Sequence, residues 1–319
     1  MQLKFLSVTA LALAAACMPL AQSHPTQRCT NAPLKIMTVF GDSYSDTGNE
    51  YRLSNKTWPL PWYYKGRFSN GKVWSEHVAK DKHYELRNYA YAGATTDSTM
   101  VQGYSGADGN MPVPGFIQQV QTYLDDHHNH ASPNYNELFV IDFQGNDYVF
   151  NPEIPTKSVL DRLKTGLERL VRDAGARQIL VVENINFGLV PELFKNATLS
   201  SLFSSIAAEQ WKDYKDDFAV MMKSKYGAVQ NPQHPFDMCR SDRDKNKVHI
   251  GYFRIADLFK ELYKPASLKR LGITDVVHGC VSNDYKTLCK DAGEHFYWDA
   301  FHVTEKIQIE VAKAVEKLL

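Results

Sequence analysis

The chain has 319 residues and carries equal numbers of basic and acidic side chains, 36 of each, so its formal net charge is zero. This balance does not favour nucleic acid or an anionic membrane as a partner, because both are bound through excess positive charge. The N-terminal segment 1–23 has Lys4 near its start, continues as an apolar run and ends in small residues. That order predicts a signal peptide cleaved after Ser23, and the run is too short for a membrane span.

A signal peptide implies a secreted, extracellular protein. A competing interpretation of the same segment is a bacterial lipoprotein box at Ala14–Cys17. The remaining segment 24–319 contains no linker, repeat or low-complexity tract, and we predict that it forms a single domain. Asn55 and Asn196 each begin an Asn-x-Thr glycosylation sequon, which matters only in a eukaryotic host.

Cysteine usage agrees with export. Beyond Cys17 the chain contains Cys29, Cys239, Cys280 and Cys289. An even number in a secreted chain favours two disulfides, for which about three connectivities exist. We expect Cys280 to pair with Cys289 across a short loop and Cys29 with Cys239, and free buried thiols are the alternative. No two cysteines have the spacing of zinc ligands, so no metal site is expected.

Apolar runs followed by polar turns recur along the chain, as is typical of parallel strands buried on both faces. In chain order the predicted strands are Lys35–Phe40, Arg87–Tyr91, Glu137–Phe143, Gln178–Glu183 and His249–Ile255. The predicted amphipathic helices are Ser158–Ala174, Ser200–Lys223 and Glu305–Leu319. This alternation predicts an α/β fold, a three-layer α/β/α sandwich around a parallel five-stranded sheet.

Residues able to perform covalent catalysis lie at two places. Ser43 follows the first predicted strand in the turn Gly41-Asp42-Ser43, where an open parallel sheet presents its site. Near the other end, Asp299 precedes His302 by three residues. A histidine so placed can accept the proton of the serine while the carboxylate fixes its tautomer, so the pattern predicts a serine hydrolase. The alternative is an ordinary turn at Ser43 and a helix cap at Asp299.

Three other motifs do not support a site. Gly103–Ala107 nearly spells the Gly-x-Ser-x-Gly nucleophile turn, but no apolar strand precedes it and the last glycine is missing. Asp242–Phe253 begins like a calcium-binding loop but lacks its glycine and its bidentate glutamate. Asp125–His130 contains metal-ligand types, although such runs are mostly solvated loops. The serine mechanism needs neither a metal nor a cofactor, and none is expected.

Four segments, in order along the chain, resemble the sequence blocks of the GDSL, or SGNH-hydrolase, family. Val39–Asn49 is similar to the first block, Asn88–Thr95 to the second and Asp299–His302 to the fifth. Gln144–Asp147 is similar to the third block, except that glutamine replaces its first glycine. A further segment, Lys65–Trp74, resembles the plant and fungal extracellular members.

The resemblance implies a flavodoxin-like fold and a role for each matching residue. Ser43 would be the nucleophile, His302 the general base and later acid, and Asp299 the group that orients the histidine. The oxyanion would be bound by the N–H groups of Ser43 and Gly93 and by the side-chain amide of Asn146. Glycine allows close backbone approach, and an amide donates without titrating.

The same resemblance implies a secreted esterase that acts on short-acyl esters, such as acetyl groups on plant-cell-wall saccharides. A lipase or phospholipase acting on longer acyl chains is the alternative, and a catalytically dead carbohydrate-binding protein is the alternative from another class. Trp58 and Trp62 follow the nucleophile turn, where they could stack on sugar rings, line an acyl pocket or pack the loop. We expect a monomer whose partner is the ester substrate alone.

Overall fold

The structure is a computed structural model that describes residues 34–127, 132–143, 145–183, 188, 190, 195–227 and 247–319. The predicted signal segment 1–23, Gln144 and the predicted Cys29–Cys239 pair lie outside these residues. So do residues 242–246 of the sequence resembling a calcium loop and residues 128–130 of the Asp125–His130 run, whereas residues 249–253 of the former belong to a strand. Within the described part of the chain, no helix has the length and apolar character needed to cross a membrane.

Nine strands are described. They are β1 (Ile36–Gly41), β2 (Glu85–Asn88), β3 (Gly103–Ser105), β4 (Met111–Val113), β5 (Asn134–Asp142), β6 (Ala176–Glu183), β7 (His249–Arg254), β8 (Asp275–Gly279) and β9 (His295–Tyr297). Five of them form a fully parallel sheet in the order β2-β1-β5-β6-β7. These are the five strands that the apolar runs predict, with ends shifted by a few residues.

The helices of the described residues lie between and after these strands. They are α1 (Asn49–Leu53), α2 (Trp74–Asp81), α3 (Phe116–Asp126), α4 (Asn146–Phe150), α5 (Thr156–Asp173), α6 (Ala197–Asp213), α7 (Ala219–Tyr226), α8 (Ile255–Leu262), α9 (Pro265–Leu271) and α10 (Glu305–Glu316). The predicted helix Ser200–Lys223 is divided by a π-helical turn, Tyr214–Phe218. Its two end residues are buried and stack with ring centroids 4.9 Å apart, so the wider turn brings both rings into the core.

Successive side chains of a strand point to opposite faces of the sheet, and in β1, β5 and β6 both faces are buried, whereas the edge strand β2 is only partly buried. Val39 of β1 belongs to a core cluster that includes buried residues of α2, α8 and α10. The next residue, Phe40, belongs to a second cluster that includes buried residues of α3 and α5. The fold is therefore the predicted three-layer α/β/α sandwich.

A third apolar cluster lies in loops rather than on the sheet. We call it the loop cluster; its buried members are Trp58, Tyr63, Phe68, Ala92, Cys280, Val281 and Trp298. Cys280 and Cys289 form a disulfide there with Cα atoms 4.9 Å apart, the pairing expected from the sequence. Two small sheets, the antiparallel pair β3–β4 and the parallel pair β8–β9, were not predicted, because strands this short show no periodicity.

Candidate active site

The turn after β1 presents Ser43 at the carboxyl edge of the sheet. A side chain at Gly41 would place its Cβ 2.7 Å from the Asp142 carbonyl oxygen on the neighbouring strand, so glycine is required for this strand end. The chain then folds tightly, because the N–H groups of Ser45 and Asp46 both donate to the Asp42 carbonyl, at 3.1 and 2.9 Å. Ser43 is only 9% exposed, yet it lines a cavity.

Asp299 and His302 form a directly bonded pair on the loop before α10. The His302 Nδ1 lies 2.7 and 2.8 Å from the two carboxylate oxygens of Asp299. The backbone N–H groups of Phe301 and His302 each donate to Asp299 Oδ1 at 2.8 Å, which fixes the carboxylate within its own turn. Nδ1 therefore carries the proton toward Asp299, and Nε2 is left as the base.

Asp299 receives one more donor, from a distant loop. The buried Tyr63 hydroxyl donates to its Oδ2 at 2.7 Å. Burial by itself would raise the Asp299 pKa, but the neighbouring His302 and these hydrogen bonds outweigh it and hold the pKa below its usual value. Asp299 is thus kept ionised, as a group that stabilises an imidazolium must be.

The loop that carries His302 is tied to the nucleophile turn. The Tyr44 hydroxyl donates to the Phe301 carbonyl at 2.7 Å. The rings of Tyr44 and Phe68 lie 5.9 and 5.2 Å from the His302 ring. These contacts bring together two segments that are more than half the chain apart in sequence.

Three donors face the same cavity from three loops. No described group accepts a hydrogen bond from the N–H of Ser43 or of Gly93. The Asn146 Nδ2 donates to the Ala94 carbonyl at 3.0 Å, which directs the amide toward the site, and its approach to Asp42 is a longer 3.4 Å. The three sites named from the resemblance thus offer donors to a developing oxyanion.

Gly93 adopts a conformation that other residues rarely take. Its φ is +83°, and a Cβ would lie 2.1 Å from the carbonyl oxygen of Tyr104 in β3. Any side chain at this position would displace the antiparallel pair β3–β4 or rotate the peptide that carries the Gly93 N–H.

Buried carboxylates hold these loops in place. Asp46 accepts hydrogen bonds from the N–H groups of Gly48, Asn49 and Glu50 in its own turn and from that of Ala92, beside Gly93, at 3.0 Å. Burial is the main reason that its pKa rises to about 6. The sequence analysis did not assign Asp46 a role, although an aspartate two residues before a glycine is a recognisable Asx-turn signal.

Asp147 performs the same task for the third block. Its carboxylate accepts from the Thr96 N–H at 3.0 Å and from the Thr96 hydroxyl at 2.7 Å, which joins the loop of Asn146 to the loop of Gly93. Burial raises the Asp147 pKa to about 6. Its position next to Asn146 was part of the matched motif, but only the fold reveals its partner.

A third carboxylate anchors the nucleophile turn to the sheet. Asp142, at the end of β5, accepts from the Ser45 hydroxyl and from the Trp74 indole N–H, the latter at 3.1 Å. Because all three groups are buried, these bonds are shielded from water.

The cavity that these residues enclose has a volume of about 160 Å³. Its lining comprises Asp42, Ser43, Tyr44, Phe68, Ala92, Gly93, Tyr104, Ser105, Asn146, Val149, Phe150, Phe301 and His302. Ser105, the serine of the rejected Gly103–Ala107 motif, forms part of the wall. The carboxyl group of the buried Glu50 is close to Ser105 and Gly106 without the geometry of a full hydrogen bond.

Trp58 and Trp62 do not line this cavity. Both pack in the loop cluster, where Trp58 meets Tyr285 edge-on with ring centroids 5.2 Å apart. This packing agrees with the loop-packing alternative, and contact of either tryptophan with substrate stays a prediction. Within the described residues, Cys289, Asp291 and His295 come close enough to suggest a metal site, but the Cys289 sulfur is in the disulfide.

Comparisons with known proteins agree with this geometry. The sequence model of the GDSL-like Lipase/Acylhydrolase family matches residues 37–315. A thermolabile hemolysin of Vibrio parahaemolyticus is 34% identical over 152 residues, which cover 46% of this chain and 32% of the hemolysin. GDSL esterase/lipase At4g26790 of Arabidopsis thaliana is 23% identical over 90% of this chain and 92% of its own length.

Among solved structures, a carbohydrate acetylesterase family member from Sinorhizobium meliloti aligns with a TM-score of 0.43 and 13% identity. The alignment covers 89% of this chain and 99% of that one. The match over residues 37–315 is the decisive comparison, since it contains Ser43, Gly93, Asn146, Asp299 and His302. The chain belongs to the GDSL-like lipase/acylhydrolase family and is a carboxylic ester hydrolase.

Proposed function

We propose that the chain cleaves carboxylic esters through an acyl-enzyme intermediate on Ser43. His302 Nε2 removes the hydroxyl proton as Ser43 Oγ attacks the ester carbonyl carbon. The imidazolium that forms is stabilised by the ionised Asp299 bound to its Nδ1–H. The negative charge moves to the carbonyl oxygen. This oxygen accepts hydrogen bonds from the free N–H groups of Ser43 and Gly93 and from the side-chain amide of Asn146.

Collapse of this intermediate breaks the bond to the leaving alcohol. His302 gives its proton to the alcohol oxygen, and the acyl group stays on Ser43. Water then attacks the acyl-enzyme with His302 again as base, and the same donors bind the second oxyanion. The acid is released, and Ser43 regains its proton.

The observation that carries this proposal is the convergence of Ser43, His302 and two unengaged N–H donors on one cavity. A fluorophosphonate probe should label Ser43, and Ser43→Ala should abolish both labelling and hydrolysis of p-nitrophenyl acetate, with a loss of at least about 10⁴-fold in kcat. Ser105→Ala is the matched control and should keep its labelling. A label recovered on Ser105 in the parent protein would refute the assignment.

Two substrate classes follow from the sequence, and the cavity supports them unequally. The acetylated-saccharide prediction came from the resemblance to plant and fungal members, and Trp58 and Trp62, which could stack on sugar rings, are not part of the cavity lining. The cavity lining is largely aromatic and aliphatic, which supports an ester with a longer aliphatic acyl group. Hydrolysis rates on acetylated xylan oligosaccharides and on p-nitrophenyl octanoate discriminate the two classes.

We also propose that residues 24–319 act as one exported domain. The family match over residues 37–315 supports a single domain, and the Cys280–Cys289 disulfide supports an oxidising compartment. In a glycosylating host Asn55 is the more accessible sequon, since it is exposed in a turn, whereas the Asn196 side chain accepts from two backbone N–H groups to cap α6. Mass mapping of the unreduced secreted protein tests the disulfide and both sequons together.

A further inference from the structure

Three large side chains with apolar surface are exposed at the mouth of the catalytic cavity. Tyr104, Val149 and Phe150 are 39%, 40% and 39% exposed, and all three line the cavity that contains Ser43. The rings of Tyr104 and Phe150 meet edge-on with centroids 5.9 Å apart. We call these three residues the apolar shelf. A continuous apolar surface that reaches solvent beside a reactive serine calls for a ligand to cover it.

The apolar shelf is built onto the two loops that supply oxyanion donors. Tyr104 belongs to β3, and its carbonyl oxygen packs directly against Gly93. Val149 and Phe150 lie three and four residues after Asn146 in α4. The shelf is thus tied to the donors that bind the carbonyl oxygen of a substrate.

The chemistry of ester cleavage assigns the two sides of the cavity. The leaving alcohol must lie next to His302, because that residue protonates it. The Phe68 ring lies 5.2 Å from His302, and Phe301 is the adjoining residue in sequence, so these two flank the alcohol side. The remaining substituent of the carbonyl carbon is the acyl chain. It extends from the carbonyl carbon on the side of the oxyanion donors.

We propose that the apolar shelf of Tyr104, Val149 and Phe150 binds the acyl chain of the substrate ester and sets a preference for linear aliphatic acyl groups longer than acetyl. This inference rests on the proposed function of Ser43 and names the acyl class that the same site takes. The shelf selects through burial alone, since its contact surface is aromatic and aliphatic. Each methylene fully buried on it is worth about 0.8 kcal/mol, or roughly fourfold in kcat/KM.

The test is a chain-length series of p-nitrophenyl acetate, butyrate and octanoate, which share one leaving group. We expect the parent protein to favour octanoate over acetate in kcat/KM by at least about tenfold. Phe150→Ser and Tyr104→Ser should each lower kcat/KM on octanoate about tenfold, chiefly through KM, and keep acetate within about twofold. Phe150→Leu should retain most of the octanoate activity, because it keeps an apolar surface.

Val220→Ser is the matched control. Val220 is 58% exposed on α7 and does not line the cavity, so its replacement should change neither substrate. Equal losses on acetate and octanoate in the shelf variants would overturn the acyl-chain assignment, because they would show general damage to the site. An octanoate preference that survives both serine variants would overturn it as well.

Two further measurements separate other occupants of the shelf. In a series of octanoate esters with different alcohols, a defect that follows the alcohol would place the leaving group on the shelf and refute the inference. If the serine variants lose activity only on phosphatidylcholine vesicles and keep soluble octanoate hydrolysis, the shelf docks a lipid surface, which also refutes it. Absence of all Ser43-dependent hydrolysis, acetate included, would instead refute the proposed function.

Discussion

The two sides of the catalytic cavity are held by different forces. On the oxyanion side, the loops of Ser43, Gly93 and Asn146 are joined by buried carboxylates, among them Asp46 and Asp147, that accept backbone and side-chain hydrogen bonds. On the histidine side, the loop of Asp299 and His302 is supported by the loop cluster, the Cys280–Cys289 disulfide and the Tyr63 hydroxyl.

This difference follows from distance to the sheet. The oxyanion loops leave β1, β2 and β5 directly, so short polar side chains at the strand ends can reach across from one loop to the next. The histidine loop follows the small sheet β8–β9 and has no central strand to anchor it. It is therefore stabilised by aromatic packing and a covalent bond. We expect single polar substitutions on the oxyanion side to lower kcat strongly, and substitutions on the histidine side to lower it less.

The largest effect is expected on the oxyanion side, from Asn146→Ala. It removes one donor to charge that exists only in the transition state, so kcat on p-nitrophenyl acetate should fall by about 10²–10³-fold with KM within a few-fold. Steady-state kinetics on the folded variant measure this. Asn151→Ala, at the end of the same helix, is the control and should be near normal. A kcat within about threefold of the parent would remove Asn146 from the oxyanion site.

On the histidine side, Tyr63→Phe should have a smaller effect, a loss of about tenfold in kcat, because the Asp299 carboxylate, and with it the His302 ring, loses one of the hydrogen bonds that hold it in position. Without that donor Asp299 holds the His302 Nδ1–H more strongly and stabilises the imidazolium. The acid limb of the kcat/KM profile should therefore move to higher pH, and pH–rate profiles measure the shift.

Tyr64→Phe serves as the control for this variant, since the Tyr64 ring faces Lys65 and Arg67. It should leave the acid limb in place. If Tyr63→Phe lowers kcat while the limb stays where it was, Tyr63 acts only through packing, and the two sides of the cavity are more alike than we infer.

Removing the disulfide should lower activity by less than Tyr63→Phe does. The Cys280→Ser/Cys289→Ser double variant frees a loop that spans nine positions and should lower stability by about 2 kcal/mol. In urea, activity should be lost at lower concentration than the circular-dichroism signal of the sheet, because the histidine loop loosens before the domain unfolds. Coincident loss of both signals would show that this loop has no independent stability.

The smallest effect on activity is expected at Glu50, where a substitution should change stability alone. Burial, and next the charge of Asp46, raise the Glu50 pKa from 4.5 to about 8. The folded protein thus favours the neutral acid, and stability is present below pH 4.5 and lost as pH rises to about 8. Thermal melts from pH 6 to 9 should show Tm falling more steeply for the parent than for Glu50→Gln. Glu153→Gln, an exposed control, should follow the parent. Parallel curves of Tm against pH for all three proteins would contradict the raised pKa of the buried Glu50.

Much of the architecture could be predicted from local patterns in the sequence. The five strands of the sheet were predicted because strands buried on both faces require continuous apolar runs such as Ile36–Phe40. The family resemblance rested on four short blocks, and the match over residues 37–315 confirms the family. The roles assigned to Ser43, Asp299 and His302 stay predictions that the geometry supports.

What the sequence could not supply were partnerships between distant segments. Tyr63 and Asp299 are 236 positions apart, and nothing in either local pattern indicates their hydrogen bond. From the sequence, Trp58 and Trp62 could equally form a substrate platform or pack their loop, and only the fold shows that both pack against the disulfide loop. The apolar shelf has the same origin, since Tyr104 and Phe150 meet only after two loops converge at the carboxyl edge of the sheet. Sequence determines which side chains can bury or react, because that depends on local chemistry and periodicity, whereas their partners depend on long-range packing that only the tertiary structure specifies.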